Sequence, residues 1–172
     1  CSPTLNPNSA NKDFQISSDL KTVTQICIYV GHLPQQQIFS RKLPALCTEG
    51  FLSGQHYWEV DVRGVGKTSS ECLLGANEFS WSLAKQNNSC SVWHGGVETS
   101  LSVPEPPRRV GVHLDWDMGL LSFYSADSMT LLHSFYQTFT QPLYPGLWVL
   151  NYKRSINLCK LFNMTACTHG PL

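Results

Sequence analysis

The sequence is short of charge. Only 14% of its 172 residues are Asp, Glu, Lys or Arg, against about 25% in an ordinary soluble domain, and 12 basic residues are balanced by 12 acidic ones. A surface that tracks phosphates carries a cationic excess, so this balance argues against a dedicated nucleic-acid binder. Apolar residues make up 42% and aromatics 11%, which excludes a disordered or acidic-tail protein. Long hydrophobic runs are also missing: stretches such as Leu147 to Leu150 fall far below the roughly 18 residues of a membrane span. No basic-then-apolar leader is present, and the chain opens on Cys1-Ser2-Pro3, so it reads as a segment of a longer protein. No extended window carries a 3.6-residue apolar stripe; the nearest, Asp13 to Val23, is broken by Ser17-Ser18-Asp19. Helix content is expected to be minimal.

Paired cysteine motifs are absent. The seven Cys, at positions 1, 27, 47, 72, 90, 159 and 167, are scattered in mostly apolar surroundings and read as free buried thiols in a reducing compartment. Cys159, Cys167 and His169 lack the Cys-x-x-Cys knuckle that closes four ligands around zinc, so no metal is expected. Asn87-Asn88-Ser89 and Asn163-Met164-Thr165 match the glycosylation pattern, which matters only in a secreted chain. Gly64-Val65-Gly66-Lys67-Thr68 resembles the end of a phosphate loop, but Asp61 stands where the first Gly is required and no amphipathic helix follows, so it reads as a turn. There is no Gly-x-Ser-x-Gly elbow and no His-Glu-x-x-His. His113, Asp115 and Ser122 do not read as a catalytic set, because alternation turns His113 away from Leu114 and Asp115 belongs to a turn. Neither catalytic residues nor a cofactor is expected.

What is present is period-two alternation. Trp58, Val60 and Val62 share one face, with Tyr57, Glu59 and Asp61 on the other; Val110, Val112 and Leu114 repeat the pattern. Asp115-Trp116-Asp117-Met118-Gly119 and Ala126-Asp127-Ser128 read as hairpin turns leading to Leu120 to Tyr124 and Thr130 to Phe135. Shorter strands are expected at Phe14 to Ser17, Thr22 to Val30, Glu71 to Leu74, Ser80 to Ala84, Cys90 to His94, Leu147 to Leu150 and Ile156 to Leu161. Many short strands with 12 Gly and 10 Pro between them predict an all-β, antiparallel two-sheet sandwich forming one domain, with Pro104 to Pro107 a stiff loop inside it. The tail, residues 163–172, is expected to fray.

Four ordered landmarks then carry a resemblance. Thr4 to Ala10, Ile16 to Val23, Gly50 to Val60 and Leu114-Asp115-Trp116-Asp117 resemble the PRY-SPRY domain, the C-terminal domain of many tripartite-motif ubiquitin ligases and butyrophilins. Its signatures are a Leu-Asp-Pro start, a Trp-Glu-Val strand and a Leu-Asp-Tyr-Glu turn, matched here by Pro7, by Trp58 and Glu59, and by Leu114, Asp115 and Trp116. Asn6 replaces the usual Asp, Trp116-Asp117 replaces Tyr-Glu, and Arg63 to Phe79 departs from the family's strand-and-basic-loop pattern. Ser91 to Thr99 and Arg109 to Val112 look most like the tripartite-motif subgroup that includes ligases of antiviral RNA sensing.

The resemblance implies a concanavalin-like jelly roll over residues 1–162, with a PRY part to about 48 and a SPRY part from 49. It implies a non-catalytic module that selects the protein target of a RING-type ubiquitin ligase in the cytoplasm, and the subgroup resemblance implies an RNA-sensor helicase as that target. Neither nucleic acid nor a membrane is an expected partner; the domain alone is expected as a monomer, the parent as a coiled-coil dimer. The alternative is a butyrophilin-like domain that senses a phosphorylated metabolite. By family position the binding loops carry Gln35, Gln36, Lys85, Asn87, Trp93, His94, Asp127, Tyr152, Lys153 and Arg154. Trp93 stands apart from Trp58, Trp81, Trp116 and Trp148, whose contexts read as core, because it lies between a polar run and His94-Gly95-Gly96: it sits either at a loop rim, where it can anchor an interface, or in the core. Uncharged polar and aromatic loops predict a contact made by shape and hydrogen bonds.

Overall fold

The computed structural model describes residues 3–10, 13–25, 44–63, 77–86, 88–148 and 155–158, with Gln86 and residues 155–158 described by their backbone. Among these residues every regular element is a strand: β1 (Phe14–Ile16), β2 (Thr22–Gln25), β3 (Ala45–Leu46), β4 (Gln55–Asp61), β5 (Trp81–Gln86), β6 (Ser89–His94), β7 (Val97–Leu101), β8 (Arg109–Asp115), β9 (Leu120–Ser125), β10 (Thr130–Tyr136), β11 (Gly146–Leu147) and β12 (Ser155–Leu158). A seven-stranded antiparallel sheet runs β1-β2-β12-β4-β8-β9-β10. Facing its apolar side are the β5-β6-β7 ladder and the short β11-β3 ladder. This is the all-β sandwich that the alternation predicts. The expected strand at Glu71 to Leu74 and most of the departing Arg63 to Phe79 stretch lie outside the described residues.

The layers exist because alternate residues of each strand point the same way. Across β4, β8 and β9, Trp58 pairs with Val112 and Val112 with Phe123; His56, Leu114 and Leu121 form the next row. Of these, Trp58, Val112, Phe123, Leu114 and Leu121 join Val60, Val110, Val92, Ala45 and Leu147 in one core. On the opposite face Tyr57 lies over Gly111, where an added Cβ would come within 2.4 Å of the Tyr57 hydroxyl. The aromatic thus covers the strip of backbone that a side chain would otherwise shield. In β10 a bulge at Leu132 lies between two registers: Leu131 pairs with Tyr124, and His133 with Phe123. The extra residue puts Leu132 against the core and leaves Leu131 exposed.

The signature segments hold one another. Trp116 N–H donates to the Gly54 carbonyl at 3.0 Å, Gly54 N–H to Asp117 Oδ2 at 2.9 Å, and Gln55 Nε2 to Asp115 Oδ2 at 2.8 Å. Asp115 Oδ1 also accepts from Met118 N–H at 3.0 Å, the turn-capping role expected of that carboxylate. At the start of the chain, Leu5 bridges Cys47, and Asn6 Oδ1 accepts from Asn8 N–H at 3.0 Å. An amide oxygen therefore serves the turn as well as the family's usual Asp, with Pro7 exposed at its tip. Burial pushes the Glu49 carboxyl up, yet Thr4 donates to it from its N–H at 2.8 Å and its hydroxyl at 2.7 Å, holding it below the usual carboxylate range.

Cys47 and Cys90 are buried free thiols, in agreement with the expectation for those two positions. Burial, with the Glu49 charge nearby, pushes the Cys47 thiol from 9.0 to about 12. A thiol harder to ionise in the folded than in the unfolded chain contributes stability that is complete below pH 9 and is lost as pH rises toward 12. Unfolding midpoints measured in urea between pH 8 and 11 are therefore expected to fall, and Cys47→Ala is expected to make the fall shallower. An equal slope in the variant would show that the thiol is not its source.

The β8–β9 turn supplies a second test. Gly119 has φ +66°, and a Cβ there would meet the Gln137 carbonyl at 2.3 Å. Gly95 has φ +59° with nothing within 4 Å. Both Ala substitutions carry left-handed strain, but only the first adds a backbone clash. Gly119→Ala is expected to cost about 2 kcal/mol more than Gly95→Ala by chemical denaturation; equal costs would refute the clash.

Candidate protein-binding surface

The two faces of the β5-β6-β7 ladder differ because of register. Trp81 pairs with His94, Leu83 with Val92 and Lys85 with Cys90, and these positions face the core; Ser82 pairs with Trp93 and Trp93 with Glu98 on the other side. His94 is held by the core-facing aromatics: its ring stacks on Trp81 with centroids 4.8 Å apart, its edge meets Phe135 at 5.7 Å, and Nδ1 lies 2.9 Å from the Ser80 carbonyl oxygen. Trp81 continues edge-on to Phe139 at 5.3 Å, and Phe139 leads to Trp116 at 6.4 Å. A continuous aromatic seam thus ties β6 to the β8–β9 turn across the two layers.

Trp93 stands outside that seam. Trp58 belongs to the core, and Trp81, Trp116 and Trp148 pack against it, whereas Trp93 does neither. It is half-buried on the outer face of the ladder. Around this end, Phe79 is 68% exposed and Val97 65% exposed. Asn77 Oδ1 supports the Phe79 turn by accepting from Phe79 N–H at 2.9 Å, and the Asn77 carbonyl accepts from Gly95 N–H at 3.1 Å, so Phe79 is displayed on an ordered turn beside the β6–β7 hairpin. Neither Phe79 nor Val97 is among the residues nominated from sequence. Their signal is faint: each is a single apolar residue next to polar or glycine neighbours, a context that reads as turn.

The nominated residues are divided by the fold. Trp93 and His94 are neighbours in β6 that point to opposite sides. Lys85 turns inward, its Nζ donating to the Val62 carbonyl at 3.3 Å. Asp127 Oδ2 accepts from the N–H groups of Arg108 at 2.7 Å and Arg109 at 3.2 Å, while Oδ1 faces the Arg109 guanidinium at 3.7 Å. Arg109 also reaches Glu59 at 3.2 Å. Gln35, Gln36, Asn87, Tyr152, Lys153 and Arg154 lie outside the described residues.

A cavity of about 380 Å³ opens between the layers, lined by Trp58, Trp81, Phe123 and Leu147 among others, and Lys85 is the one cation in its described lining. A phosphorylated ligand needs several converging cations, and among the described residues no such set gathers there. Nor do the described residues hold a group of three or more His, Cys, Asp or Glu suited to a metal ion.

The fold and the signature contacts define a SPRY-type sandwich, and comparison with known proteins agrees. The SPRY domain family model matches residues 55–160. The chain is 34% identical over 163 residues to mouse tripartite motif-containing protein 14, covering 84% of this chain and 37% of that protein. It is also 34% identical over 171 residues to the mouse E3 ubiquitin-protein ligase TRIM65, covering 91% and 32% respectively. The crystal structure of the TRIM65 PSpry domain superposes with a TM-score of 0.76 at 30% identity, covering 94% of this chain and 93% of that one. The chain belongs to the SPRY domain family, the protein-interaction modules of tripartite-motif proteins. It spans about a third of the length of these two relatives.

Asp127 holds the N–H groups of Arg108 and Arg109 at the start of β8 and faces the Arg109 guanidinium, a structural duty. Asp127→Ala is expected to cost about 1 kcal/mol of stability and to leave partner affinity unchanged once the protein is folded. Loss of binding at unchanged stability would move Asp127 to the contact surface.

Proposed function

We propose that this domain selects the target of a tripartite-motif-type RING ubiquitin ligase in the cytoplasm, and that its target is an RNA-sensor helicase of antiviral signalling. The observation that carries the recognition role is the display of apolar side chains at the β6–β7 hairpin end of the ladder, exposed Val97 on the His94 side, exposed Phe79 at the mouth of the cavity and half-buried Trp93 on the other face, mounted on a hydrogen-bonded sandwich. Aromatic anchors on a rigid frame gain affinity because little entropy is lost when they dock. The ligase and helicase assignments rest on the family and on the subgroup resemblance of Ser91 to Thr99 and Arg109 to Val112. A dimeric parent on a helicase arrayed along RNA would multiply a weak single contact through effective concentration. The domain itself contributes position and affinity, while a RING elsewhere in the parent supplies the ubiquitin-loaded enzyme. The metabolite-sensing alternative gains no support from the described lining of the cavity.

The test is a titration of purified RNA-sensor helicase with the 172-residue chain by biolayer interferometry. Phe79→Ala and Trp93→Ala are each expected to weaken binding about tenfold, in the range of interface aromatics, and Lys153→Ala to weaken it less. Unchanged affinity in the two aromatic variants would remove this surface, and no binding by the parent sequence would remove the helicase.

A further inference from the structure

The face of the β5-β6-β7 ladder turned away from the core is small and polar apart from one ring; it is buried at Ser82 and Ser91 and open along β7. Ser82, Ala84, Ser91, Trp93, Glu98 and Ser100 alternate onto it, and Glu98 is the charged side chain among them. Glu98 is directly opposite Trp93 on the neighbouring strand, which brings their Cβ atoms within about 5 Å. Glu98 is exposed, and among the described residues it has neither an ion pair nor a hydrogen-bond partner. A carboxylate beside an indole face, with no cation of its own, forms two sides of a cation site: the ring quadrupole attracts the charge and the carboxylate neutralises it.

β7 adds a direction. Among the described residues it ends its ladder, and Val97, Glu98, Thr99 and Ser100 are all exposed, so both faces of the strand meet solvent. Natural edge strands are commonly blunted by Pro, Lys or a bulge; Val97–Leu101 contains no Pro or Lys and its register with β6 is unbroken. Such an edge is suited to pairing with an extended segment. A residue of the added strand opposite Glu98 would have its Cβ about 10 Å from that of Trp93, two strand spacings away. A Lys or Arg side chain and an indole together span that gap.

Building on the target-recognition reading, we propose that the free edge of β7 receives an extended basic segment of a partner protein, whose Lys or Arg lies against Trp93 and pairs with Glu98. Charge chooses the occupant: an acidic peptide or a nucleic-acid backbone would meet an unneutralised carboxylate. The site then supplies what the low overall charge of the chain withholds elsewhere, a single electrostatic selection imposed on a contact otherwise made by shape and main-chain pairing.

The experiment is a selection of random heptapeptides displayed on phage against the immobilised 172-residue chain, followed by titration of the enriched sequences as synthetic peptides. The enriched pool is expected to carry Lys or Arg. Glu98→Gln is expected to weaken binding about tenfold and Glu98→Lys to abolish it, both at unchanged melting temperature, with Trp93→Ala weakening it more than Trp93→Phe. Amide exchange at Val97 to Leu101 is expected to slow on binding, a change that cation capture without strand pairing would not produce. Enrichment of peptides without basic residues, whose binding survives Glu98→Gln but is lost in Phe79→Ala, would overturn this inference and leave the recognition reading intact. Failure to enrich any peptide would count against both.

Discussion

The β4–β8 ladder is the constraint on which the remaining structure depends. Seven residues of each strand are paired without a break, from Gln55 with Asp115 to Asp61 with Arg109. A one-residue slip would send either Trp58 and Val60 or Val112 and Leu114, whichever strand moved, to the solvent side. That cost locks the register and, with it, both ends of the ladder. At one end Gln55 meets Asp115 and Gly54 meets Asp117; at the other Arg109 comes within reach of Glu59 and Asp127. The signature turn and strand motifs are therefore a single mechanical unit, although more than fifty residues separate them.

The second layer uses the same parity rule to opposite effect. In β6, His94 faces inward and completes the seam through Trp81, Phe139 and Trp116, while its neighbour Trp93 faces outward to Glu98. The inward ring ties the hairpin to the core, and the outward ring, on the adjacent residue, is the one the proposed recognition role uses. Lys85 obeys the same rule: its position puts it on the inner side, where the Val62 carbonyl takes its ammonium, so a residue that reads as a loop cation is used internally.

Legibility followed burial asymmetry. β4 and β8 bury an apolar face and carry Tyr57, Glu59, Asp61, Arg109 and His113 on the other, so their alternation is visible in the amino-acid order, and the turns at Trp116 and Asp127 stand out after them. β7 has no buried face along Val97 to Ser100, hence no alternation to read. β3, at two residues, is too short to display a period and exists because Leu5 and Leu147 flank it. The bulge at Leu132 is equally silent, since only the partner strand reveals the extra residue. At the candidate site, the distinct character of Trp93 was legible from its polar and glycine surroundings. Its pairing with Glu98 was not, because the β6–β7 register depends on where the Gly95-Gly96 turn falls; both glycines have positive φ.

The amino-acid order by itself determined the class: an all-β chain, its central strands, its two principal hairpin turns, and membership in a family recognised by four ordered landmarks. These are properties of local alternation and turn chemistry, which act over a few residues. Tertiary structure alone decided which side of β5 and β6 became interior, that Asp127 would cap the start of β8, that Phe79 and Val97 would stand exposed, and that Glu98 would sit beside Trp93. The physical reason is that facing direction and cross-strand neighbourhood are set by pairing between distant segments, and pairing is chosen by the burial of the whole core.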